Sequence, residues 1–293
     1  MNQESISPLA AGRNVKIVTD SASDLLALSH IPFASVPMKI ITDKKEYVDN
    51  DRLSVERMVA ELKAYNGRSS TACPNTGEWL NAFGDAEEIY CVTITGTLSG
   101  SYNSALSAKE IYENEHPERK VFVLNSLSAA AEIRLALERL EELILSGLAF
   151  EDVCKAITAY NQKTGLVFML ASMHNFANNG RVSPMVAKFA GLMGIRVVGK
   201  ASAKGDLEPT DKCKGQPKAL STMVKRMIDN GYNGGRVLIA HCFNQEGATA
   251  LKQLIKQSFP TARITVYPCR GLCSFYAEDG GVLVGFEKVG AQA

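Results

Sequence analysis

The stretch Thr95-Gly96-Thr97-Leu98-Ser99-Gly100-Ser101-Tyr102-Asn103-Ser104-Ala105 is the richest in groups that bind a small anion. It follows the apolar run from Ile89 to Ile94 and precedes a helical pattern, so its hydroxyls and glycines occupy a strand-to-helix turn. Such a turn aims free backbone N–H groups and the positive end of a helix dipole at one point. With Ser and Thr hydroxyls added, that point suits a phosphate or a carboxylate. The same residues also have a plainer use, since Ser99 or Ser101 can simply cap its own helix.

Three more polar clusters interrupt the regular pattern. Asp20-Ser21-Ala22-Ser23-Asp24 directly follows the first apolar strand, at the carboxyl end where α/β sheets bind ligands; its alternative is an Asx or Ser turn into a helix. In Ser69-Ser70-Thr71-Ala72-Cys73-Pro74-Asn75-Thr76, Pro74 biases Cys73 toward extended backbone. Thr71 then either projects its hydroxyl into a cleft or belongs to an ordinary surface connection. Asn179-Gly180-Arg181-Val182-Ser183-Pro184 brings a guanidinium suited to fork-like pairing with a carboxylate, or else left in solvent. Ser183 followed by Pro184 is also a helix-start signal.

Catalytic signatures are missing from these clusters. The chain has no Walker-type phosphate loop and no GxSxG elbow, and neither His174 nor His241 has a Ser and Asp partner at a suitable spacing. Its seven cysteines are scattered without a CxxC pair, which argues against a disulfide framework and for a reducing compartment. Cys91 and Cys242 read as small core residues. Cys269 and Cys273 can share one helical face, but no second ligand pair accompanies them, so no metal site is expected.

The elements that must position these clusters alternate along the chain. Strands are expected at Val15–Thr19, Ala34–Thr42 (broken by Pro37), Ile89–Ile94, Val121–Leu124, Leu166–Leu170, Arg236–His241, Ile264–Tyr267 and Val282–Glu287. Helices are expected after Ser54, from a Thr76 cap to Phe83, and over Ser101–Tyr112, Ala129–Ser146, Glu151–Gln162, Pro217–Asn230 and Gln245–Ser258. Ile195–Lys200 and Leu207–Lys212 flank Ala203-Lys204-Gly205-Asp206 as a hairpin. Strands separated by helices of this length call for right-handed crossovers and a mainly parallel sheet. The fold class is therefore α/β, with two α/β domains. Residues 1–14 read as a flexible arm, 15–164 as the first domain and 165–293 as the second.

Composition excludes several classes. With 293 residues, 46% apolar and 22% charged, the chain is an ordinary globular protein of two-domain size. Its 32 basic and 31 acidic residues leave a formal charge of +1, without the basic excess of a nucleic-acid binder. No apolar run is long enough to span a membrane and no signal-peptide core is present, so the expected location is cytoplasmic.

Taken together, the four clusters resemble the DegV family. Its opening strand and Asp-Ser motif is similar to Val15-Lys-Ile-Val-Thr-Asp20-Ser21-Ala22-Ser23-Asp24, and its proline loop to Thr71-Ala72-Cys73-Pro74-Asn75. Its Leu-Ser-Gly turn is matched by Leu98-Ser99-Gly100-Ser101-Tyr102, and its Gly-Arg-Val-Ser turn by Gly180-Arg181-Val182-Ser183. The resemblance implies a protein that binds one long-chain fatty acid between two domains and presents it to a separate fatty acid kinase, which makes an acyl phosphate. It implies a carrier without cofactor, monomeric, with the carboxylate held by Thr71 and Ser99. Gly100 would permit close backbone approach, and Arg181 and Lys214 would supply nearby positive charge. Three positions depart from the family pattern: Lys214 stands for an arginine, Ala72 for a hydroxyl residue, and Glu278 for a histidine expected at the head-group wall. An acid there would repel a carboxylate unless it faces away or is protonated. The alternative reading is a transferase or hydrolase using the same cleft on a phosphorylated or carboxylated metabolite.

Overall fold

In the computed structural model, which describes residues 12–182 and 194–288, the largely apolar runs of the early strands build a sheet covered on both faces. β1 (Val15–Asp20), β2 (Phe33–Val36), β6 (Glu88–Thr93) and β7 (Lys120–Asn125) lie in the order β2-β1-β6-β7, every pair parallel. Ile17, Tyr90 and Val92 point to one face, and Val18, Ile89 and Cys91 to the other. Helices α2 (Thr76–Phe83) and α3 (Ser101–Glu115) cover the second face through Trp79, Phe83, Ala105 and Tyr112. Helices α4 (Ala131–Leu145) and α5 (Phe150–Asn161) cover the first through Ile133, Leu137, Leu140 and Ile157.

A small antiparallel sheet stands beside it. β3 (Lys39–Ile41), β4 (Glu46–Val48) and β5 (Ser70–Ala72) run in the order β4-β3-β5. The strand expected over Ala34–Thr42 is thus two strands: Pro37 breaks it, and its halves join different sheets. Thr71 lies on an edge strand rather than in the expected loop. Helix α1 (Val55–Ala64) starts where Ser54 Oγ accepts from the Arg57 N–H (3.3 Å), and it packs Met58 with Ile40, Tyr47 and Phe275. The cap of α2 is Asn75, in a capping box with Glu78, rather than Thr76.

The second large sheet comprises β8 (Thr164–Leu170), β9 (Ile195–Ala201), β10 (Leu207–Lys214), β11 (Tyr232–His241), β12 (Ile264–Pro268) and β13 (Val282–Lys288), in the order β10-β9-β8-β13-β11-β12. The expectation of mainly parallel strands describes the first sheet and is corrected for this one, where only β11 and β12 pair in parallel. β9 and β10 form the expected hairpin, and β12 leads through the seven-residue helix α9 (Gly271–Ala277) to β13, which inserts antiparallel between β8 and β11. Helices α7 (Gln216–Asp229) and α8 (Gln245–Ser258) cover the outer face of this sheet. On its inner face, Leu166, Phe168, Leu170 and Leu238 meet Leu135 of α4 and Ala277 of α9. Helix α4 therefore lies between the two large sheets, with Glu132 buried and accepting from Thr164 Oγ1 (2.7 Å) and from Ser128.

At the amino end, Arg13 and Asn14 are fastened rather than part of a loose arm. The Asn14 carbonyl accepts from Glu87 and Glu88, and Arg13 pairs with Glu88. The helix start expected at Ser183-Pro184 lies outside the described residues.

Candidate functional site

Thr71, Ser99 and Arg181, read from three separate loops, line one small compartment. Thr71 reaches it from β5, with its hydroxyl 2.7 Å from the hydroxyl of Tyr276 on α9. Ser99 Oγ accepts from the Ser101 N–H (3.2 Å) at the start of α3, which leaves the Ser99 proton free to point inward. Gly100 sits where an added Cβ would lie 3.1 Å from Cys73 Sγ, so glycine lets this turn close onto the proline loop. Arg181 follows α6 (His174–Asn178), which ends at Gly180 in left-handed backbone (φ 68°). That reversal carries the Arg181 guanidinium back to donate through Nε to the Leu98 carbonyl (2.8 Å), with its centre 5.5 Å from the Tyr276 ring.

The acidic cluster after β1 does not line this compartment; it fastens two of its walls. Asp20 is fully buried, and its Oδ2 accepts from Ser101 Oγ (2.6 Å) and the Ile94 N–H (3.0 Å), holding both ends of the Ser99 turn. Burial pushes its carboxyl up to about 6, against the downward pull of these donors. Asp24 occupies left-handed backbone (φ 56°), and its Oδ1 accepts from the Arg270 N–H (2.7 Å). Its Oδ2 is buried with no geometrically formed hydrogen bond among the described residues, and burial pushes this carboxyl up to about 7, with the charge of Asp49 adding to the effect and the Arg270 N–H and Cys273 thiol opposing it. Asp49 accepts from Gly271 and Leu272 (2.9 and 2.8 Å), capping the helix that carries Tyr276.

Beside the polar compartment lies an apolar one, walled by Ala129, Leu166, Phe168, Leu170 and Leu283 among others. The two compartments share Ile94, Leu98, Phe176, Leu272 and Tyr276 as lining, so the polar and apolar compartments lie side by side. The hairpin tip of the second sheet closes over the same turn. Thr97 Oγ1 donates to the Gly205 carbonyl (2.9 Å), and Gly205 (φ 89°) approaches so closely that a Cβ would fall 2.1 Å from Thr95 Oγ1.

Two expected participants lie elsewhere. Lys214 is exposed at the end of β10 opposite Ile195, seven residues and roughly 20 Å along the hairpin from the strand end beside its tip. Glu278 faces away from the hydroxyls: its Oε1 accepts from the Asn175 N–H (3.1 Å) at the first turn of α6, in a different groove with Lys63 and His174. The polar wall expected from position 278 is supplied two residues earlier by Tyr276, which sequence reasoning missed. An aromatic residue with a polar tip in the apolar run Cys273-Ser-Phe-Tyr-Ala277 gives no spacing signal of its own. The imidazole of His241 meets Gln245 (2.9 Å) and Asn244 (3.3 Å), and that of His174 meets Asn178 (2.8 Å); among the described residues neither ring is hydrogen-bonded to a serine or an aspartate. Cys273 is on α9 but Cys269 precedes it, so they do not share a helical face; both are buried free thiols, pushed up by burial. Among the described residues no group of His, Cys, Asp and Glu is placed to hold a metal ion, and no helix is long and apolar enough to cross a membrane.

Comparison with known proteins agrees with this arrangement. The profile of the DegV family, described as uncharacterised proteins, matches residues 14–288. A DegV domain-containing protein of Streptococcus pneumoniae is 43% identical over 276 residues, covering 93% of this chain and 98% of its own. A DegV family protein from Eubacterium eligens, solved loaded with heptadecanoic acid, is 44% identical with a TM-score of 0.91, covering 94% of this chain and 99% of its own. The Streptococcus pneumoniae Fatty Acid Kinase (Fak) B3 protein, solved loaded with linoleic acid, is 43% identical with a TM-score of 0.92 over the same shares of the two chains. The chain belongs to the DegV family.

Proposed function

We propose that this DegV-family chain binds one long-chain fatty acid, its carboxylate in the Thr71–Ser99 compartment and its acyl chain in the apolar compartment beside it. The observation that carries the reading is the adjacency of the two spaces, which share Ile94, Leu98, Phe176, Leu272 and Tyr276 as lining. A carboxylate leaving water needs short donors in place of its hydration shell, and the Thr71 and Ser99 hydroxyls are suited to supply them. Gly100 allows the turn to approach, and Arg181 adds a nearby positive charge. Lys214 has no part in this site. Each buried methylene contributes about 0.8 kcal/mol, so the tail dominates affinity while the head group sets orientation.

In this reading residues 15–164 supply the carboxylate loops and residues 165–293 cover the acyl chain. The protein acts as a monomeric cytoplasmic carrier rather than a catalyst, a location in keeping with its seven free thiols. Two relatives solved with fatty acids, one of them a Fatty Acid Kinase B protein, support presentation of the acid to a separate kinase. The test is denaturing extraction of the purified protein followed by mass spectrometry, on the wild type and on Thr71→Val with Ser99→Ala. A stoichiometric fatty acid in the wild type, depleted at least tenfold in the double variant, is expected. A polar metabolite instead, or equal loading of both proteins, refutes the assignment.

A further inference from the structure

Thr71 has one proton, and the direction of that proton decides whether it can hold an anion. Its hydroxyl lies 2.7 Å from the Tyr276 hydroxyl, close enough that one of the two donates to the other. If Thr71 donates, it turns lone pairs toward the compartment. If Tyr276 donates, the Thr71 proton is left for a ligand. Two features favour the second arrangement. A phenol is the stronger acid and hence the better donor, and the Arg181 guanidinium 5.5 Å from the ring centroid draws on its electrons. The ring itself is fixed by Phe176 and Phe275, with centroids 4.7 and 4.9 Å away, and by a helix whose N-terminus is held by Asp49.

We infer that Tyr276 is a positioning residue for the carboxylate: it donates to Thr71 Oγ1 and thereby commits the Thr71 proton to the ligand. The inference rests on the fatty-acid reading above. It makes head-group selectivity a property of the Tyr276–Thr71 pair, because a chain of hydrogen bonds ending on a charge is strengthened more than one ending on a neutral group.

The experiment titrates lipid-stripped protein with oleate and with oleyl alcohol, in the wild type, Tyr276→Phe, Thr71→Val and the double variant. Phenylalanine keeps the ring and removes only the hydroxyl. Expected are a loss of roughly tenfold in oleate affinity for Tyr276→Phe, a change of less than about threefold for the alcohol, and no further loss when Tyr276→Phe is added to Thr71→Val. Unchanged oleate affinity in Tyr276→Phe overturns the inference. So does an equal loss for acid and alcohol, the sign of a packing effect, or a full loss in the Thr71→Val background, the sign of direct contact with the ligand. Failure of the wild type to bind oleate at all refutes the fatty-acid reading itself, a result distinct from these three.

Discussion

Replacing the buried carboxylate of Asp24 by an amide is expected to stabilise the protein above neutral pH, although it changes a residue of the opening motif. Asp24 has one satisfied oxygen, on the Arg270 N–H, and one buried oxygen with no geometrically formed hydrogen bond among the described residues. Burial, aided by the Asp49 charge, raises its carboxyl from 3.8 to about 7. Because the folded value lies above the unfolded one, the native state holds the proton longer. Stability is then greatest below pH 3.8 and falls as pH rises through the window to about 7. At 1.36 kcal/mol per pH unit the full difference is about 4 kcal/mol, which relaxation around the charge reduces to roughly 2. Asparagine keeps the acceptor for Arg270, carries no charge, and tolerates the left-handed backbone at φ 56°. Asp24→Asn should therefore match the wild type within about 1 kcal/mol at pH 4 and exceed it by roughly 2 kcal/mol at pH 8. Urea unfolding at pH 4, 6 and 8, with equal slopes for the two proteins, measures the difference. A difference that stays flat with pH refutes the argument, and so does a variant that loses stability at pH 8.

Asp20→Asn should behave in the opposite way. All three donors around Asp20 point at its oxygens, so an amide N–H must face another N–H, and a cost of about 1–3 kcal/mol is expected at pH 7 by the same unfolding assay, with weaker oleate binding as the Ser99 turn loosens. Ala129→Phe fills part of the apolar compartment; co-purifying acids should shift to shorter chains by mass spectrometry, with about 0.8 kcal/mol lost for each methylene excluded. Lys214→Ala and Glu278→Gln should each leave oleate affinity within about twofold of wild type in a binding titration, because one residue is exposed at the far end of the hairpin and the other caps α6.

The parts of this molecule legible in its sequence are those that local chemistry determines. Apolar runs marked β1 and β6, the glycine turn marked the β9–β10 hairpin, and a run of hydroxyls and glycines between a strand and a helix marked the Ser99 turn. The parts that escaped are set by contacts between residues far apart. Nothing near Val282 says that its strand inserts between β8 and β11, because that pairing is made with strands about 120 and 50 residues earlier in the chain. Asp20 and Asp24 looked like ligands or turn formers and Asp49 gave no signal, since a sequence shows a carboxylate's charge but not its partners. Their partners are Ser101, Arg270 and the first amides of α9, between 81 and 246 residues away. Glu278 shows the same limit from the other side. Counting placed an acid beside the head group, whereas α9 ends there with a residue at φ 51°, and that reversal turns Glu278 to the first turn of α6 and leaves Tyr276 facing Thr71. The donors for the carboxylate could be found as motifs. The groups that aim those donors belong to the packing of α9 against the opening motif, and the three-dimensional fold was needed to find them.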